Sequence, residues 1–218
     1  MLVTPQTKLR SISRRARSTP YRLSTSCIHE GAVHCADYQF TLYSMKTSFY
    51  AMIYPQMIRS LEALSDVLKK AEAHAATRKT EHLNFESALL NDRIIFDQFP
   101  LVRQVQIATD QVKNSIKRIT GKEVPVFEDT ETTFAQLQER IAKTLDLARA
   151  VSADEVNDKE DGRVSLPYWG GKSLSTYDYV TMYLIPNFYF HLTTAYAIIR
   201  KNGSPVGKSD FTGPLPLE

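Results

Sequence analysis

The chain has 218 residues, 43% of them hydrophobic and 23% charged, with a formal net charge of +3. This is ordinary globular composition with room for one domain and an appendage, and the charge is unevenly placed. Residues 41–218 carry 21 basic and 22 acidic side chains, so the body lacks the basic excess that phosphate neutralisation requires, and nucleic acid is excluded as a partner.

Residues 1–29 contain no acid and six basic residues, Lys8, Arg10, Arg14, Arg15, Arg17 and Arg22, with Leu9, Ile12 and Ala16 at helical spacing. Residues 1–44 are therefore read as a basic extension. Its composition is that of a mitochondrial presequence, and equally that of a disordered tail on a cytoplasmic protein. The only cysteines, Cys27 and Cys35, fall in this extension, which leaves no disulfide framework and no Cys-based zinc site for the body, and a reducing compartment is expected.

The body, residues 45–211, opens on a helix from Phe49 to about Ala76. Met57, Leu61, Leu64, Leu68 and Ala71 recur at the spacing of one helical face, and Pro55 falls near the start, where a missing N–H costs least. Residues 77–96 read as a connector with one short helical turn at Asn84–Leu90. Asp97 is the expected cap of a second helix that runs to Thr120 on the stripe Val102, Val105, Val112, Ile116 and Ile119 and stops at Gly121.

The segment GKEVPVFEDTETT reads as a loop. A third helix follows, with Thr133 and Gln136 at capping-box spacing and Phe134, Leu137, Ile141, Leu145 and Ala148 facing inward, ending near Val151. ADEVNDKEDG is expected to be a solvated linker, and Arg163–Ser175, with its Gly170-Gly171 pair, a small hairpin. The fourth helix begins after Ser175 and runs to about Arg200, followed by residues 201–203, KNG, as a stop, and a tail covers 212–218.

Tyr179 to Ile199 lacks any charged residue and is long enough to cross a bilayer. Pro186, Asn187, His191, Thr193 and Thr194 argue against that reading. An all-round apolar helix is also what the centre of a water-soluble bundle requires, and no membrane partner is expected.

FPLVRQVQIATD at 99–110, VPVFEDTETTFAQLQERIAKT at 124–144 and IPNFYFHLTTAYAIIRKNG at 185–203 resemble an uncharacterised bacterial and fungal branch of the DinB-like four-helix bundles. The resemblance spans roughly Met45 to Phe211. It implies an all-α fold, an antiparallel DinB-like four-helix bundle with a short loop or hairpin inserted before the last helix, often dimeric, so a homodimer is expected. In the wider superfamily a divalent metal is held by one histidine on the second helix and an HxxxH pair on the fourth. Here the pair reads Asn187 and His191, and Gln104 is the nearest match to the second-helix ligand. One imidazole and two carboxamides make a poor zinc site, so no metal or other cofactor is expected.

Two polar side chains, Asn187 and His191, thus project where the pattern of Val180, Leu184 and Ile198 calls for core. One reading makes them a structural relic, bonded to each other, to Gln104 or to the carbonyl freed by Pro186. The other makes them a site. His191 would then be the acid or base, with Asn187 and Gln104 orienting a ligand and Arg103 stabilising developing negative charge, unless Arg103 is only a surface partner of Asp110 or Glu139. Tyr183, Tyr196 and Trp169 are the candidate walls of a pocket for a hydrophobic or aromatic small molecule. With no phosphate loop, nucleotide fingerprint or nucleophile elbow, the expected chemistry is proton transfer and positioning: isomerisation, cyclisation or addition on a phenolic or polyketide-like substrate. The alternative is a non-catalytic ligand-binding or structural bundle, and a weaker one is a retained metal-dependent transferase or hydrolase.

Overall fold

The computed structural model describes residues 48–78, 84–215 and 217. The basic extension, both cysteines and the expectations attached to them lie outside the described residues.

Helix α1 spans Phe49–Ala76, capped by Ser48, whose hydroxyl accepts from the Ala51 N–H at 3.1 Å. Pro55 is carried inside it on the exposed face. Helix α2, Phe85–Asn91, is the short turn expected in the connector, and Asn84 caps it through the Ser87 N–H. Helix α3 spans Leu101–Thr120 and stops at Gly121, whose φ of 77° supplies the left-handed turn.

Asp97 does not cap α3. Pro100 holds the N-cap position without a side-chain bond, and the Leu101 N–H instead donates to the Asp92 carbonyl at 2.9 Å, across the loop. A long-range backbone bond thus replaces the local cap that the sequence offers.

Helix α4, Phe134–Arg149, starts from the expected capping box of Thr133 and Gln136. The acidic linker is more ordered than expected, because a second box, Ser152 with Glu155, starts the one-turn helix α5, Ala153–Val156, which buries Val156 completely. The hairpin is present as β1, Arg163–Ser165, antiparallel to β2, Ser173–Ser175, with Val164 opposite Leu174. Between the strands, Gly170 and Gly171 both take positive φ.

The last long helix has three parts: α6, Thr176–Asp178; a π-helical stretch, Tyr179–Leu184; and α7, Ile185–Lys201. Pro186 falls in the first turn of α7, next to the wider stretch, where its missing donor is tolerated. A final helix that the sequence reading does not anticipate, α8, Lys208–Thr212, follows Val206, which is buried.

α1, α3, α4 and α7 form the bundle. Arg149 on Glu62 and Gln138 on Ser65 run α1 and α4 in opposite directions, and Arg118 on Tyr179 with Gln104 opposite His191 does the same for α3 and the last helix. The 121–133 segment runs back along α3, so that Glu131 meets Gln106 and α4 begins beside the start of α3. The core between the four helices is filled by Tyr54, Met57, Leu61, Leu101, Val105, Phe134, Ile141 and Phe188 among others, all buried. No helix among the described residues is long and apolar enough to cross a membrane.

Candidate functional site

Near the start of α3 and the middle of α7, two polar side chains enter this core. Gln104 is 1% exposed and His191 7%, and His191 Nδ1 lies 2.7 Å from Gln104 Oε1. Gln104 is itself oriented, because its Nε2 donates to the Phe99 carbonyl at 2.8 Å. With the amide nitrogen spent there, the oxygen faces the ring, so Nδ1 must carry the proton and donate. Nε2 is left as a lone pair, and the one side-chain hydrogen bond of His191 among the described residues is that at Nδ1.

Burial, with a smaller push from the Arg103 charge, lowers the His191 imidazole from 6.5 to about 4. It is therefore neutral near pH 7. Phe190, half exposed, stands edge-on to the ring with centroids 5.2 Å apart.

The other predicted site residues divide into three places. Arg103 is half-buried and pairs with Asp129 and with Gln106 Oε1 at 3.1 Å, rather than with Asp110 or Glu139. Asn187, one turn before His191, is half-buried and makes no side-chain hydrogen bond among the described residues, so the polar core is built on Gln104 and His191. Tyr183 and Trp169 belong to an aromatic cluster about 12 Å further along the helix. There Trp169 meets Tyr183 edge-on at 5.5 Å, Tyr179 stacks on Tyr183 at 5.8 Å, and the Tyr168 and Tyr183 hydroxyls are hydrogen-bonded. Tyr196 packs instead against Phe211 of α8, centroids 5.5 Å apart. The predicted aromatic wall is thus not one wall around His191.

The donor set does not suit the divalent metal of the wider superfamily. The nitrogen on the Gln104 side of His191 is already committed to a hydrogen bond, the remaining candidates are carboxamides, and among the described residues no group of three His, Cys, Asp or Glu converges.

A cluster that the sequence reading assigns no role lies beside Arg103. Arg140, 2% exposed, projects from the inward face of α4 and holds Asp110 at 2.9 Å, Asp129 at 2.9 Å and Glu131 at 3.0 Å, while its Nε donates to Thr109 Oγ1 at 2.8 Å. Lys113 reaches Asp110 at 3.0 Å and, with Arg140, flanks the Phe127 ring at 4.3 and 5.0 Å. Burial disfavours the Glu131 carboxylate, but hydrogen bonds from Arg140 and Gln106 outweigh it and hold the group below its usual range. The sequence signal was available: Arg140 stands three residues after Leu137 and four before Thr144, on the inward stripe.

Comparison with known proteins agrees with this architecture. The family model described as Domain of unknown function (DUF1993) matches residues 49–212. A crystal structure of a DinB family member protein from Shewanella denitrificans is 40% identical, with a TM-score of 0.72 over 78% of this chain and 94% of that one. No curated protein matches the chain. A family match over three quarters of the length and a relative of this identity place the chain, by sequence and by fold, in the DUF1993 family of DinB-like helical bundles.

Proposed function

We propose that the bundle is a binding protein for an uncharged, partly apolar small molecule that donates a hydrogen bond to His191 Nε2. The carrying observation is the relay from the Phe99 carbonyl through Gln104 to His191 Nδ1, which fixes the tautomer and leaves Nε2 a neutral acceptor. Half-exposed Phe99 and Phe190 flank the relay and supply apolar surface. A phenol fits these requirements, since its hydroxyl donates and its ring is apolar.

The same lone pair supports the acid–base enzyme reading as a second one, because an oriented imidazole with a free nitrogen is the form a general base takes. Its low proton affinity weighs against that reading: a base that protonates near pH 4 is a poor proton acceptor at neutral pH, although it remains a good hydrogen-bond acceptor.

Side-chain 15N spectra of the full chain, recorded while phenol is titrated in, test the proposal. Binding at this site shifts the His191 Nε2 resonance saturably, and His191→Phe abolishes the saturable response while the helical circular-dichroism signal is kept. A resonance indifferent to phenol, or an Nε2-protonated tautomer in the free protein, refutes it. Phenolic turnover that His191→Ala removes favours the enzyme reading instead.

A further inference from the structure

A cleft away from His191 is lined by the end of α1, by α2 and by the end of α7. It measures about 460 Å³. Phe85 and Leu89 of α2 give it an apolar wall, and His74, Arg78, Asp92 and Asn202 give it a polar one.

Gly203, at the end of α7, has φ of +84° and borders the polar side. A Cβ built there would lie 3.7 Å from His74 Nε2 and 3.8 Å from Arg78 Nη2, so both nitrogens border one space that the glycine leaves bare. His74 Nε2 is buried and has no hydrogen-bond partner among the described residues. A buried polar atom of this kind is rare without a ligand or water to satisfy it.

Among the described residues, the acid that lines this cleft, Asp92, is already engaged. Asp92 accepts from Asn202 Nδ2 at 2.5 Å and pairs with Lys201 at 3.1 Å, and although burial disfavours its carboxylate, those bonds hold it below the usual range. What remains among the described residues is a guanidinium, which only donates, and an imidazole nitrogen, which donates when the proton sits on Nε2, and together they suit an acceptor carrying negative charge. The C-termini of α1 and α7 end here, and their dipoles oppose anions, as does Asp92. Among the described residues that line the cleft, Arg78 is the one Lys or Arg, and it matches a single negative charge.

We propose that this cleft binds a small monocarboxylate, its carboxylate accepting from His74 Nε2 and Arg78 over Gly203 and its apolar body lying on Phe85 and Leu89. The site is independent of the one at His191.

Titration of the 15N-labelled full chain with benzoate, benzamide and inorganic phosphate tests it. Benzoate is expected to shift the amides of Ala75, Leu89, Asn202 and Gly203 saturably, with benzamide and phosphate each at least about tenfold weaker, and Arg78→Gln lowers benzoate affinity about tenfold. Arg78 is exposed, so its replacement leaves the fold intact and decides the matter even where His74→Phe destabilises the end of α1. Absence of a saturable benzoate response overturns the proposal. So does benzamide or phosphate binding as tightly as benzoate, or benzoate binding that ignores Arg78→Gln.

Discussion

Gln104 accepts the Nδ1 proton of His191 at 2.7 Å and so determines which imidazole nitrogen stays free. Gln104→Leu removes that acceptor and leaves a buried ring N–H unpaired, with an expected loss of about 1–3 kcal/mol in urea denaturation. Gln104→Glu acts in the opposite sense on charge: a carboxylate at the same position raises the imidazole pKa, which an NMR titration of the ring protons reads directly.

Stability should also depend on pH in a window set by the same histidine. Its folded value, about 4, lies below the unfolded 6.5, so above pH 6.5 the ring is neutral in both states and contributes no pH dependence. As pH falls from 6.5 towards 4 the unfolded chain takes up a proton that the folded one refuses, and stability drops. Denaturation midpoints at pH 7 and pH 5 are expected to differ, and His191→Phe should flatten the difference. Glu131, Asp92 and Asp210 have depressed values, and their contribution is lost at lower pH, as the carboxylates protonate.

Arg140→Met should be among the most damaging single changes in the body. It leaves Asp110, Asp129 and Glu131 without their shared cation and Thr109 Oγ1 without its donor, and breaking a buried pair from one side costs about 3 kcal/mol or more. Removing Arg140 together with its acids is expected to cost less than Arg140→Met alone, which a multiple-mutant cycle measures.

Gly162→Ala tests how the hairpin joins the last helix. A Cβ at Gly162 would meet Thr176 Oγ1 at 2.7 Å and the Lys159 carbonyl at 3.1 Å, where the Thr176 N–H also donates to the Gly162 carbonyl at 2.8 Å. Overpacking of this kind costs about 1–3 kcal/mol. Gly162→Ala/Thr176→Ala should recover part of it in thermal melts.

The long helices were legible because their cause is local. The four-three spacing of Met57, Leu61, Leu64, Leu68 and Ala71, the Thr133–Gln136 box and Gly121 all act within one or two turns, and α1, the start of α4 and the end of α3 fall where they indicate. What escaped depends on distant partners. Asp97 is the better cap in isolation, yet the Asp92 carbonyl supplies the bond, and α8 follows a glycine, which has no side chain to cap it, so that its cap bond runs from the Gly207 N–H to Asp210 Oδ2 at 2.7 Å. In the candidate site, the resemblance and the helical faces offer Gln104 as one of three partners for His191, beside Asn187 and the carbonyl freed by Pro186, and the hydrogen bond goes to Gln104. Tyr183, Trp169 and Tyr196 were grouped only by chemical type, and one helix presents such residues to different neighbours.

Twelve residues separate Tyr179 from His191, which on a continuous α-helix puts them about 120° apart. Both nevertheless reach α3, Tyr179 accepting from Arg118 at 3.0 Å and His191 donating to Gln104. The π-helical stretch between them takes up the equivalent of one residue, about 100°, and brings the two back into phase. A chain that lost a single residue between 179 and 184 would put the two side chains eleven residues apart, about 20° on a continuous α-helix, and would satisfy both pairings without the wide turn. The wide turn is therefore the mark of one extra residue accommodated in this short span: a relative one residue shorter there is expected to run as an unbroken α-helix, whereas this chain wound as α-helix throughout would turn either its aromatic cluster or its imidazole away from α3.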